Sequence, residues 1–183
     1  MSNPLWREIP LTQGKVAIVD AADYEWLSQF RWRVYKGKRR QVWYAVRHLR
    51  LSSGKWSSMR MHREILGALP GQFVDHKDGD GLNNTRSNLR ICTSQQNQFN
   101  TPGLAGTSSR FKGVSWEKRR GWWIASIRMQ GKSHFIGSYH DEIDAARAYD
   151  AVAKELHGEF ARLNFKEDNI RLCRLVTQEP TNE

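Results

Sequence analysis

Cysteine is almost missing from this chain: 183 residues contain two, Cys92 and Cys173, and no Cys-x-x-Cys pair. Neither a disulfide framework nor a cysteine-held zinc site is therefore expected, and a reduced, intracellular (cytoplasmic) setting is the simplest expectation. Long apolar runs are missing too. Nothing approaches the roughly 20 residues of a membrane-spanning helix, and residues 1–8 lack a basic-then-apolar signal pattern. Negative charge is the third shortage, because 19 Asp and Glu stand against 29 Lys and Arg, a net charge of +10. That balance points to a polyanionic partner, nucleic acid first and a membrane surface second.

The shortage of acids is uneven. Residues 1–60 hold 12 basic and 4 acidic side chains, residues 61–105 hold 4 of each, residues 106–165 hold 10 and 7, and residues 166–183 hold 3 and 4. Basic charge flanks a neutral centre, as expected of a nuclease whose core keeps carboxylates for a cation while its flanks grip phosphate. Aromatics are plentiful: eight tryptophans favour small β-rich units in which large side chains fill a thin core.

Residues 9–60 read as short strands joined by turns. Residues 16–19 form one strand and 20–27 a short helix with an acidic first turn. Residues 30–35 alternate apolar and basic side chains as a half-exposed strand does, Gly37 turns the chain into a strand at 42–46, and Ser52-Ser53-Gly54 turns it again toward Trp56. Arg31, Arg33, Arg39 and Arg40 belong to a basic surface interleaved with aromatics. A solvated strand face is the ordinary meaning of such charges, and the scarcity of acids here favours contact with a nucleic-acid backbone instead. A short helix at 61–66 ends at Gly67.

Residues 73–100 carry the chemistry. A short strand ends in Asp75-His76, and a loop rich in Gly, Asn and Asp follows, residue types that tolerate left-handed backbone and make side-chain turns. Residues 89–92 return as a second strand. Thr93, with Gln96 three residues on, has the spacing of a capping box that opens a helix to about Asn100. Phosphodiester cleavage needs a base for water, a cation for the developing charge and a means of stabilising the leaving oxygen. Asp75 and the Asn97 amide oxygen are hard donors suited to Mg²⁺, and His76 has the intrinsic pKa of a base near neutral pH. Neighbours on a regular strand point to opposite faces, so the two meet on one side only if the strand ends irregularly there.

The run Val74-Asp75-His76, Asn83-Asn84, Asn88-Leu89-Arg90 and Asn97 resembles the HNH homing endonucleases of phages and mobile introns, in the variant with an Asp-His pair first and Asn in both later positions. The resemblance implies a ββα-metal unit: His76 as general base, Asp75 and Asn97 as ligands of one divalent cation (Mg²⁺ or Mn²⁺), and Asn88 holding the loop and the imidazole. His62, in the preceding helix, either reaches the scissile phosphate or is an interfacial structural histidine, and the second reading is preferred.

Residues 102–109 are small, polar and punctuated by Gly and Pro, a natural linker. Beyond it, residues 111–116, 122–128 and 132–139 read as three strands, and Asp141 caps a helix at 142–157 whose alanines let it lie close to the sheet. Phe111-Lys112-Gly113-Val114, Trp123-Ile124-Ala125-Ser126-Ile127-Arg128, Ile136-Gly137-Ser138-Tyr139, Ala145-Ala146-Arg147-Ala148-Tyr149-Asp150 and Leu163-Asn164-Phe165 resemble the AP2/ERF DNA-binding domain of plant transcription factors. That resemblance implies a sheet lying in the DNA major groove, with Lys112, Ser115, Arg120, Ser126, Arg128, Ser133 and Phe135 on the DNA side. Ser115 and Phe135 stand where the plant domains usually place Arg and Trp, which implies altered base readout.

The expected class is α+β. Residues 1–58 form a basic β-rich segment, 59–101 the catalytic unit, 102–109 a linker, 110–165 the AP2-like module and 166–183 a tail. The expected function is metal-dependent endonucleolytic cleavage of double-stranded DNA, with no membrane and no small-molecule cofactor. Two other readings stand beside it: a DNA-binding regulator carrying a decayed nuclease motif, and an RNA-directed β protein.

Overall fold

The computed structural model describes residues 5–37, 41–103, 107–129 and 131–165. The chain forms two compact units, Met1–Asn100 and Thr101–Glu183, and is α+β throughout, with several small antiparallel sheets and few helices.

The first unit opens with a hairpin of β1 (Trp6–Pro10) and β2 (Val16–Asp20), followed by α1 (Ala21–Leu27). Strand β1 was not legible in the sequence because only Ile9 of its five residues is buried, so no alternation marks it. Next comes a three-stranded sheet of β3 (Arg33–Lys36), β4 (Trp43–Arg50) and β5 (Trp56–Arg60), with β4 central. The strand expected at 30–35 begins later than its pattern suggests. Trp32 is 2% exposed and its indole N–H donates to Leu27 O at 2.8 Å, which ties it to the end of α1 instead of the sheet.

Helix α2 (Met61–Ile65) stops at Gly67, whose φ of 57° is left-handed backbone that glycine adopts without a Cβ penalty. The hairpin of β6 (Phe73–His76) and β7 (Leu89–Cys92) leads into α3 (Ser94–Phe99). One core serves the whole unit: Ile9, Val19, Leu27 and Ala45 from the amino-terminal part are buried with Met61, Val74 and Leu89. The β6–β7 hairpin therefore packs on the residues before it.

The second unit is an antiparallel sheet of β8 (Val114–Glu117), β9 (Trp122–Met129) and β10 (Lys132–Tyr139), with β9 central, and a single long helix α4 (Glu142–His157). Asp141 caps α4, accepting from the N–H groups of Ile143 at 2.7 Å and Asp144 at 3.1 Å. Ala145, Ala146 and Ala153 are fully buried and bring the helix onto Ala125 and Ile127 of β9. Ser126 and Arg128 alternate with those two and lie on the opposite face. No helix among the described residues is long and apolar enough to cross a membrane.

Candidate active site

The β6–β7 register sets Asp75 opposite Arg90 and His76 opposite Leu89. The capping box expected from Thr93 and Gln96 is present: Gln96 N donates to Thr93 Oγ1 at 3.2 Å, and Thr93 N to Gln96 Oε1 at 2.8 Å. The polar loop between the strands is tightly knotted. Asp78 accepts from Asp80 N and the Asn83 amide, each at 2.8 Å, and Asp80 accepts from Leu82 N at 2.9 Å. Asn88 spends its amide here, exchanging hydrogen bonds with Asp78 and donating to Asn83 O at 2.8 Å.

The loop is also fastened from outside. Ile18 N donates to Leu82 O at 2.9 Å, and Asn84 N donates to Ile18 O at 2.7 Å, a short parallel bridge to β2. Arg86 then forks onto Asp23 of α1 with two bonds of 2.7 Å. Burial pushes the Asp23 carboxyl up, and the hydrogen bonds from Arg86 and Trp26 more than reverse that, leaving it lowered.

Asp75 is 5% exposed. Its Oδ2 accepts from Arg90 Nε at 2.9 Å and Nη2 at 2.7 Å, and the Asn100 amide reaches both carboxylate oxygens at 3.1 Å. Asn100 also donates to His76 O at 2.7 Å, so it ties the end of α3 to the end of β6. Sequence reasoning missed Arg90 and Asn100. Arg90 could have been found as the cross-strand partner of Asp75, and Asn100 as the amide one helical turn after Asn97.

His76 points the other way. Its ring lies 4.8 Å from that of His62 and 6.1 Å from that of Tyr44, while His62 and Tyr44 are 5.6 Å apart. The hydrogen-bond partner of His76 Nε2 is Asn84 Oδ1 at 3.4 Å, where the resemblance had implied Asn88. The Asn88 amide is already committed to the loop. Asn84 Nδ2 donates to Leu82 O, so the oxygen of that amide faces the ring, and an oxygen only accepts. With its proton on Nε2, neutral His76 donates to that oxygen and keeps Nδ1 as its basic nitrogen. Burial lowers its pKa, against the raising effects of Asn84 and the nearby aspartates.

Asn97 is half-buried in α3. Among the described residues no group of three or more His, Cys, Asp or Glu is placed to hold a metal ion. The expected pair, one carboxylate and one amide, does not call for such a group. Among the expected DNA contacts, Arg31 and Arg33 are exposed, and Arg39 and Arg40 lie outside the described residues. In the second unit Ser115, Arg120, Arg128, Ser133 and Phe135 are exposed, with Lys112 and Ser126 partly buried. Ser126 pairs with Phe135 and Arg128 with Ser133 across β9 and β10.

Residues 61–99, from α2 to the end of α3, match the model of the HNH endonuclease family. An uncharacterized HNH endonuclease (L560) of Acanthamoeba polyphaga mimivirus is 37% identical over 158 residues, covering 83% of this chain and 76% of that protein. Protein 3.8 of Escherichia phage T7 is 35% identical over 97 residues, 52% of this chain and 79% of its own length. An AP2-like ethylene-responsive transcription factor (TOE2) of Arabidopsis thaliana is 30% identical over 118 residues, which is 62% of this chain but 24% of that protein. With a hairpin that presents Asp75 and His76 and a relative matched over three quarters of its length, the chain belongs to the HNH endonucleases.

Proposed function

We propose that this enzyme hydrolyses phosphodiester bonds in double-stranded DNA, in the manner of a homing endonuclease, using one divalent cation and positioned by its second unit as an AP2-like DNA reader. The observation that carries this reading is the buried Asp75-His76 pair at the end of β6, each side chain held by its own partners. Asp75 turns toward Arg90 and Asn100, and His76 toward Asn84, His62 and Tyr44. In-line displacement at phosphorus places the attacking water and the departing oxygen on opposite sides, so a base and a leaving-group stabiliser belong on opposite sides as well. Both groups must still converge on the one phosphorus, and β6 ends at His76, where the polar loop takes over from the strand.

His76 Nδ1 takes a proton from water, whose oxygen bonds to phosphorus as the P–O3′ bond breaks; the departing 3′ oxygen takes a proton from solvent, leaving 5′-phosphate and 3′-hydroxyl ends. Asn84 fixes the tautomer that makes Nδ1 the base. The residues fit a single hard cation: Asp75 Oδ1 has acceptor capacity beyond the Asn100 amide, and Asn97 shares a helix face with Asn100, which touches Asp75. Asp75 and Asn97 would hold Mg²⁺ or Mn²⁺, which offsets charge on the leaving oxygen when bound. Arg90 and Asn100 orient the carboxylate.

Phosphate contact is supported by a groove of about 940 Å³ beside the β3–β4–β5 sheet, lined by Arg33, His48, Ser58, Arg60 and Arg63 with no acidic side chain. In the second unit, Arg128, Ser133 and Phe135 are exposed on the sheet face turned away from α4, beside the partly buried Ser126, as a groove-reading sheet requires. The deciding experiment incubates supercoiled plasmid with the protein in Mg²⁺ and in EDTA. Nicked or linear product only with metal is expected. Binding without cleavage in either condition would leave a DNA-binding regulator with a decayed nuclease motif.

A further inference from the structure

Three rings from three elements meet at the base: Tyr44 from β4, His62 from α2 and His76 from β6, with centroids between 4.8 and 6.1 Å apart. His62 is unusual within the cluster. It is 3% exposed, and its Nδ1 is buried with no hydrogen-bond partner among the described residues. An unsatisfied buried ring nitrogen destabilises a fold, and an apolar side chain of similar size would avoid that cost. His62 stands edge-on to His76, with the planes at 86°. This arrangement sets a positive ring edge against a π-face and fixes the angle between two rings.

On the endonuclease reading above, we propose that His62 is a positioning residue for the reaction, its ring holding the His76 imidazole against Asn84 so that Nδ1 stays aimed at the water. Without it, the Asn84 hydrogen bond and the Tyr44 ring are left to hold the His76 imidazole. Burial, then the nearby His76, Arg60 and Arg63, push the pKa of His62 down to about 2, so the ring is neutral at working pH and adds no charge beside the base. Direct contact with substrate is excluded by its burial. Tyr44 completes the clamp from the sheet side, and Gly81 seats the loop on it: a Cβ there would meet the Tyr44 ring at 2.7 Å and collide with the Trp43 carbonyl.

The test compares wild type, His62→Leu and His62→Phe by plasmid-nicking kinetics, thermal midpoint and long-range ¹H–¹⁵N spectra of the His76 ring. In His62→Leu, kcat is expected to fall on the order of 10- to 100-fold from misplacement of the base, with KM within about twofold. Its thermal midpoint should be unchanged or raised, and the His76 ring should show mixed tautomers. His62→Phe keeps an aromatic edge and should recover most of kcat and the single Nε2–H tautomer. Wild-type kcat in His62→Leu, a kcat loss with no change in the tautomer, a matching fall in thermal midpoint in both variants, or a raised KM at constant kcat would each overturn the proposal. A wild-type protein that does not nick in Mg²⁺ would instead remove the endonuclease reading and this role with it, whatever the ring spectra show.

Discussion

Position 76 holds an imidazole that is nine-tenths buried, lowered in pKa by that burial and partnered on Nε2. Its removal should stop chemistry without removing the DNA grip, because the basic side chains that face solvent lie elsewhere. His76→Ala is expected to abolish nicking while fluorescence anisotropy with duplex DNA shows affinity within about threefold of wild type, the split expected when a group acts only in the transition state. A second residue-scale consequence concerns acid. His62 and His76 have folded pKa values below the ordinary 6.5, so below that pH the unfolded chain binds protons that the folded chain refuses. Their stabilising contribution is complete above about pH 6.5 and is lost as pH falls toward the folded values. Lowered Asp23 acts in the same direction further into acid, losing its contribution as pH drops through its folded pKa. Urea midpoints of the first unit should therefore fall steadily from pH 7 to pH 4, and His62→Phe should flatten that slope.

Among the elements, the polar loop between β6 and β7 is fastened both within itself and from outside. It has its own knot of Asx-type bonds around Asp78, Asp80 and Asn88, and it is pinned to β2 by Ile18 and to α1 by Arg86. Arg86→Met leaves the Asp23 carboxylate buried without its fork. Because the Arg86 side chain is about half exposed, solvent screens the pair, and a loss of about 1–2 kcal/mol is expected in urea denaturation. Hydrogen exchange should rise across residues 83–87 and leave β8 to β10 unchanged. Equal exchange in variant and wild type would show that the Arg86–Asp23 fork does not order the loop.

For the whole molecule, the proposed function divides the work between two units: the first holds Asp75 and His76, and the second holds a sheet whose back is closed by α4 and whose front is open. Arg128 stands on that front, exposed, next to Ser133 across the strands. Arg128→Ala should weaken duplex binding by about 1–3 kcal/mol if it reads a base edge. If it meets a phosphate, it should instead lower the salt slope by about one. Either way the metal dependence of cleavage should stay as in wild type, which a Mg²⁺ titration of nicking checks. Unchanged affinity and salt slope would take this face out of the DNA interface.

The sequence by itself determined the local grammar. Thr93 and Gln96 spelled the capping box, Asp141 the start of α4, Gly67 the end of α2, and the alternation of residues 122–128 the two faces of β9, because each depends on side chains a few positions apart. It also brought Asp75, His76, Asn88 and Asn97 into view as one constellation. Only tertiary structure decided which side chain holds which. Asn84 instead of Asn88 meets His76, Arg90 and Asn100 hold Asp75, and His62 and Tyr44 close on His76 from elements 14 and 32 residues upstream. The reason is physical: hydrogen-bond capacity and ring packing are allotted between groups distant in sequence, and spacing along a chain does not encode how a core fills the space between them.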